Sequence, residues 1–183
     1  DIIGEKVGSQ DQVTASVGGF NVLRFNKDGG ISVNPVIISE SRKLQLNDHL
    51  LMFFTGISRD SQTITKNKIG KIEHNPAGIN EIAQLVEDAL SILVSERDIT
   101  DFGRLLDETW KLKRAISDEI SNQKIDAIYD IARKNGAIGG KLLGAGGGGF
   151  IVFFAPPDTH SKIIHALAEY VHVPFKFEKQ GST

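Results

Sequence analysis

The sequence predicts an α+β protein built on a ferredoxin-like, split β-α-β sheet, and three observations predict it. From His49 onward, short apolar runs of strand length and longer helical segments follow the order β, a helical block, β, β, α, β. Two of the runs, at 137–143 and 150–155, are joined only by the glycine tract "GAGGGG". The helical segments each carry one apolar face, which suits helices packed on one face of a sheet. The runs before Ser39 fall outside that order and are expected to be the end of a neighbouring lobe. The expected division is therefore a remnant lobe at 1–45 and the ferredoxin-like domain at 46–183.

Taken in order, "EKVGSQDQVTASVGG" is rich in small residues and ends in Gly18-Gly19, which suits a short helix stopped by glycine. "FNVLRFN" and "ISVNPVII" are β-rich runs around "KDGG", whose Asp28-Gly29 signals a hairpin. Pro35 makes the second run an edge or bulged strand. A polar connection over 39–48 leads to "HLLMFFTG", a strand-length apolar run closed by Gly56. A helix is expected over 58–75, capped by Ser58 and stopped before Pro76. The next, over 80–97, repeats apolar residues at Ile82, Leu85, Val86, Ala89, Leu90 and Leu93. A third, over 101–120, does so through Phe102, Leu105, Leu106, Leu112, Ile116 and Ile120. "NQKIDAIYDIARKNG" starts at a capping Asn122 and stops at Asn135-Gly136. After the two glycine-linked strands, Asp158 is expected to cap "DTHSKIIHALAEY", and "VPFKFE" to form the last strand.

Composition narrows the function classes. A net charge of -2 argues against a nucleic-acid binder that works by broad phosphate neutralisation. The absence of cysteine removes disulfides, zinc–thiolate sites, iron–sulfur clusters and cysteine nucleophiles, and fits a reducing cytoplasm. No apolar run reaches the roughly 18 residues of a membrane helix, so no membrane partner is expected. The chain opens on Asp1 with residues that read like the middle of a folded unit, so a piece of a longer protein is expected.

The tract Gly144-Ala145-Gly146-Gly147-Gly148-Gly149 satisfies G-x-G-x-x-G, but a dinucleotide fingerprint needs a helix after it, and "FIVFF" is a strand. No P-loop pattern occurs. Two readings stay open: a tight hairpin corner, or a backbone that approaches phosphate closely and offers successive N–H groups to an anion.

"KLLGAGGGGF" between two strands resembles the third motif of the GHMP small-molecule kinases. "VGSQDQ" is similar to the G-x-x-D-Q element of that family's sugar-kinase branch. "LLMFFTGISRDS" with "TWKLKRAIS" resembles the heptose 7-phosphate kinases and the C-terminal half of fucose kinases. The resemblance covers essentially the whole chain. It implies ATP as phosphoryl donor with Mg2+, and a ferredoxin-like C-terminal domain whose glycine loop, residues 144–149, lies beside the nucleotide phosphates. It further implies phosphorylation of the anomeric hydroxyl of a heptose 7-phosphate, with fucose or galactose as the alternative acceptors. The family's second motif, a Pro- and Gly/Ser-rich loop around the ATP phosphates, is not among these residues. The N-terminal half of the same kinase is therefore an expected partner, and a homodimer one expected assembly.

Asp11 is the candidate catalytic residue, since a carboxylate that orients a hydroxyl and takes its proton assists phosphoryl transfer. Its alternative is a helix cap. Gln12 is a candidate for a sugar hydroxyl, or an exposed helix residue. Thr55 and Gly56, ending a strand, either face the acceptor or make a plain turn. Lys113 and Arg114 offer a cationic pair to a substrate phosphate, or a solvated face with Asp107–Lys111 and Arg104–Glu108 pairs. Ser117 lies one turn further along the same side, and Arg59 and Lys141 are further phosphate neighbours. Trp110 either stacks on a sugar or fills the core. The five histidines, His49, His74, His160, His165 and His172, show no ligand-like pairing, and no protein-held metal site is expected. A non-catalytic ferredoxin-like binding module is the reading from another class.

Overall fold

The computed structural model describes residues 9–26, 28–57, 76–116, 120–144 and 147–182. The helix expected over 58–75 lies outside them. The first helix, α1 (Ser9–Val17), ends at Gly18 and Gly19, whose positive φ values of 66° and 74° stop it as the sequence predicts. Strands β1 (Asn21–Phe25) and β2 (Ile31–Pro35) form the expected antiparallel hairpin, with Phe25 opposite Ile31.

Residues 40–48 are not a polar connection but a helix, α2 (Glu40–Asp48), capped by the Ser39 side chain, which accepts the Arg42 N–H at 3.1 Å. Only Leu46 of this helix is buried, so its sequence carries no apolar stripe to read. α2 also runs across the 45/46 position.

Then come β3 (Leu50–Phe54), α3 (Pro76–Val94), α4 (Thr100–Ile116) and α5 (Gln123–Lys134). The α3 helix starts at Pro76, earlier than predicted, because a first-turn proline lacks only an N–H that would go unpaired anyway. Val86, expected inside, is exposed, and Ile92 is buried in its stead. Asn122 caps α5 as predicted, accepting from the N–H groups of Lys124 and Ile125. β4 (Gly139–Leu142) and β5 (Phe150–Phe154) flank the glycine tract. Asp158 lies in a 3-10 turn, Pro157–Thr159, and no side chain caps the following α6 (His160–Ala166). The last strand, β6 (Val171–His172), precedes "VPFKFE": Val173 still donates to the Met52 carbonyl at 2.8 Å, and Pro174 then has no N–H to continue the ladder.

The four strands order as β4-β5-β3-β6, all antiparallel, which is the ferredoxin-like arrangement that the element order predicts. Side chains alternate across it. Leu51, Phe53, Ile151, Phe153 and Leu142 meet Ile125, Ile128, Tyr129 and Ala132 of α5, and Ile163 of α6. Each such side chain, fully buried, contributes about 1.5–3 kcal/mol.

The expectation of helices on one face needs correction. Leu50 and Phe154 point to the opposite side and pack with Leu46, Leu93, Phe102 and Leu106, so α2, α3 and α4 cover the second face. α4 approaches β4 so closely that a Cβ on Gly139 would lie 1.9 Å from the Gly103 carbonyl oxygen.

Beyond β6 the chain returns as a strap to α1. Phe177 donates its N–H to the Asn47 side chain at 3.1 Å and packs on Phe20. Ser182 donates to the Ala15 carbonyl at 2.8 Å, and a Cβ on Gly181 would lie 2.0 Å from the Ser16 oxygen.

Candidate functional site

The glycine tract is fastened at several points. Leu143 donates to the Phe150 carbonyl at 2.8 Å and closes the hairpin base. Gly144, Gly147 and Gly149 then turn through φ of 68°, 74° and 88°. Ala145 and Gly146 lie outside the described residues.

From the end of β3, the Thr55 N–H and hydroxyl both donate to the Gly149 carbonyl, at 2.9 and 2.8 Å. Gly149 returns a bond to the Ile57 carbonyl at 2.9 Å. Gly148 is needed for approach: a Cβ there would sit 2.6 Å from that same Ile57 oxygen. From the start of α5, the Ile120 carbonyl accepts the Gly147 N–H at 3.0 Å, and the Asn122 amide donates to the Gly147 carbonyl at 3.3 Å. From α4, Lys113 Nζ donates to the Gly144 carbonyl at 3.1 Å.

These bonds revise two expectations. The N–H groups of Gly147 and Gly149 are committed to protein carbonyls, so neither is a bare donor awaiting an anion. Thr55 is fully buried, and its hydroxyl is spent on the loop, so its side chain cannot face an acceptor.

Gly56 is exposed at φ 69°, and its neighbour is a cation: Lys124 Nζ lies 3.4 Å from where a Cβ would stand. Lys124 also sits 5.6 Å over the Tyr170 ring. Arg114 is paired with Asp126 at 3.4 Å, both side chains well exposed, and Asp126 accepts the Ser121 hydroxyl at 2.6 Å. Such a pair is weak enough to open for a stronger anion.

The predicted Lys111–Asp107 pair is present at 2.7 Å, whereas Arg104 turns to Asp101 and not to Glu108. Burial works against the Asp107 carboxylate, but hydrogen bonds from Lys111 and Tyr129 outweigh it and hold its pKa below the usual value. Burial first, and then Asp107, push the Tyr129 hydroxyl up. Trp110 is fully buried beside Tyr129 and belongs to the core, out of reach of any sugar.

Lys141 lies on β4, and burial pushes its ammonium pKa down. His49 and His160 bond to the carbonyls of Gln45 and Ala155. Burial, and then the charge of His160, hold His172 low. Arg59, His74 and Ser117 lie outside the described residues. Among the described residues no group of three or more His, Asp or Glu converges as a metal site, and no helix is long and apolar enough to cross a membrane.

Asp11 and Gln12 stand exposed within α1, so Asp11 is not the helix cap but a first-turn acid, favoured by the helix dipole. Their helix faces the hairpin and α3 across a pocket of about 330 Å3 lined by Gln10, Thr14, Phe20, Phe25, Val86 and Leu90. Among the described residues no hydrogen bond or ion pair joins Asp11 or Gln12 to the glycine loop. The structure thus gathers Gly144, Gly147, Gly148, Gly149, Thr55, Gly56 and Lys113 into one cluster. Sequence reasoning missed Ile57, Ile120 and Lys124 there, and saw Asn122 only as a cap.

Comparison with known proteins finds relatives of this chain. Residues 85–173 match the family described as the C terminal of GHMP kinases. A D-glycero-alpha-D-manno-heptose 7-phosphate kinase of Campylobacter jejuni is 33% identical over 95% of this chain and 52% of its own length. The chain therefore spans about half of that relative. A solved D-glycero-D-manno-heptose 1-phosphate kinase from Bacteroides thetaiotaomicron superposes with a TM-score of 0.68 at 26% identity, covering 99% of this chain and 49% of that one. A Lactococcus lactis galactokinase, solved with galactose, superposes at 0.72 with 16% identity over 99% of this chain and 57% of its own, a likeness of fold alone. Residues 85–173 are the part of the chain that matches the C-terminal domain of the GHMP kinases, and the similarity to a sugar kinase extends over 95% of the chain.

Proposed function

We propose that this chain is the C-terminal part of an ATP-dependent sugar kinase that phosphorylates the anomeric hydroxyl of a heptose 7-phosphate. The observation that carries the reading is the 33% identity with a heptose 7-phosphate kinase across nearly the whole chain. In this reading residues 1–45 close the catalytic lobe and 46–183 form the C-terminal domain, working in the cytoplasm with the N-terminal half of the same kinase.

Asp11 orients the acceptor hydroxyl and takes its proton, with Gln12 beside it. The first half of the glycine loop borders the ATP phosphates, while Gly147 to Gly149 anchor it. Arg114, released from Asp126, and Lys113 meet the substrate's own phosphate. ATP supplies the phosphoryl group, and catalysis is mostly positioning and charge stabilisation. Mg2+ would be held mainly by the N-terminal half and by ATP itself, where it would neutralise phosphate charge.

The test is titration of the chain with Mg–ATP, followed by phosphoryl-transfer assays with heptose 7-phosphate, fucose and galactose. Turnover with heptose 7-phosphate that Asp11→Asn abolishes is the expected result. Turnover with fucose or galactose alone moves the acceptor. A chain without the ATP-binding N-terminal half can fold and yet stay inactive, so no binding and no turnover refutes the reading when it persists with that half supplied.

A further inference from the structure

One side chain does two jobs where α5 meets the glycine loop. The Asn122 carbonyl oxygen accepts the N–H groups of Lys124 and Ile125, each at 3.1 Å, and so caps α5. Its amide nitrogen donates in the other direction, to the Gly147 carbonyl at 3.3 Å. Two residues upstream, the Ile120 carbonyl takes the Gly147 N–H at 3.0 Å, so both polar groups of the Gly147 backbone are held from the α5 entrance. Ile120 and Ile125 are themselves fully buried, which makes that entrance rigid. A capping serine, threonine or aspartate would satisfy the helix equally well. Only asparagine among the common caps also carries an amide donor aimed at a second partner.

We infer that Asn122 is a positioning residue for the glycine loop: it fixes the loop's second half to the start of α5. The cap and the loop therefore move as one body. Its bearing on phosphate binding rests on the kinase reading above, whereas the anchoring itself does not.

Asn122→Asp separates the two jobs, because a carboxylate still caps the helix but cannot donate to Gly147. Amide hydrogen exchange of the full chain is followed at Gly147–Gly149 and across α5. In Asn122→Asp the loop amides should exchange about five-fold or more faster, the equivalent of one lost hydrogen bond, with α5 protection unchanged. Asn122→Ala should lose both, with faster exchange in α5 as well. If the chain binds Mg–ATP, Asn122→Asp raises its KM more than it lowers kcat. Unchanged loop exchange in Asn122→Asp overturns the inference whatever the chain does with ATP. Equal acceleration in loop and helix overturns it too, since that is the signature of a cap alone. Failure to bind ATP even with the N-terminal half supplied strikes the kinase reading and leaves the exchange result to decide this one.

Discussion

Gly139→Ala tests whether α4 is locked to β4 through backbone contact. A Cβ at this position would lie 1.9 Å from the Gly103 oxygen and 2.8 Å from the Asp107 nitrogen. Neither atom can rotate away, because both belong to the helix backbone. Opening the first contact to an ordinary 3.4 Å requires α4 or β4 to move by the difference, 1.5 Å. Phe154, whose ring meets Gly103 on the same face, would have to follow. Overpacking of this kind costs about 3 kcal/mol at the upper end of its usual range. For a chain of this size that corresponds to a fall in Tm of roughly 6–12 °C. Gly29→Ala is the control, since nothing lies within 4 Å of its Cβ and only its φ of 86° is penalised. That penalty is about 1–2 kcal/mol. Urea unfolding followed by circular dichroism gives both values, with the slope serving as a check that the unfolded state is unchanged. A Gly139→Ala midpoint no lower than that of Gly29→Ala would refute the claim that α4 is locked to β4 through backbone contact.

Lys141→Met should raise Tm near neutral pH, because burial disfavours the charged ammonium and the substitution removes that burden. The folded pKa lies below the ordinary 10.5, so the wild type recovers stability as pH rises through that window, and the gain of the variant should shrink there. A pH-independent difference in differential scanning calorimetry would contradict this. If the proposed heptose 7-phosphate kinase reading is right, Arg114→Gln should raise the KM for that sugar about tenfold, the worth of one charged hydrogen bond, while any turnover of fucose or galactose keeps its KM. An equal rise for all three sugars would remove Arg114 from the substrate phosphate.

Much of the fold was readable because its cues are local. Asn122 and the Asn135-Gly136 stop bound α5, Asp28-Gly29 turns the hairpin, and strand-length apolar runs give β3 and β5. Those runs in order were enough for the ferredoxin-like arrangement. α2 stayed hidden because a helix held by a cap and one buried leucine has no periodic signature. Covering of both sheet faces stayed hidden for another reason. Every residue of β5 after Phe150 is buried, and a continuous apolar run does not say what covers each side.

The glycine loop was conspicuous, but its fastening was not. Its partners are the carbonyls of Ile57 and Ile120, and every residue owns a carbonyl. Gly148 was equally opaque, since its reason lies in a segment far away in sequence. Arg114 was seen as a cation, whereas its pairing with Asp126 depends on how α4 and α5 cross.

The strap that returns from β6 to α1 has a kinetic consequence. Ala15 and Ser182 are nearly as distant along the chain as two described residues can be, yet they share a hydrogen bond. Contacts of such long sequence separation form late, because the entropy of closing the intervening loop must be met first. The helix bearing Asp11 thus waits on the last-made segment for its seat, while the sheet can assemble without it.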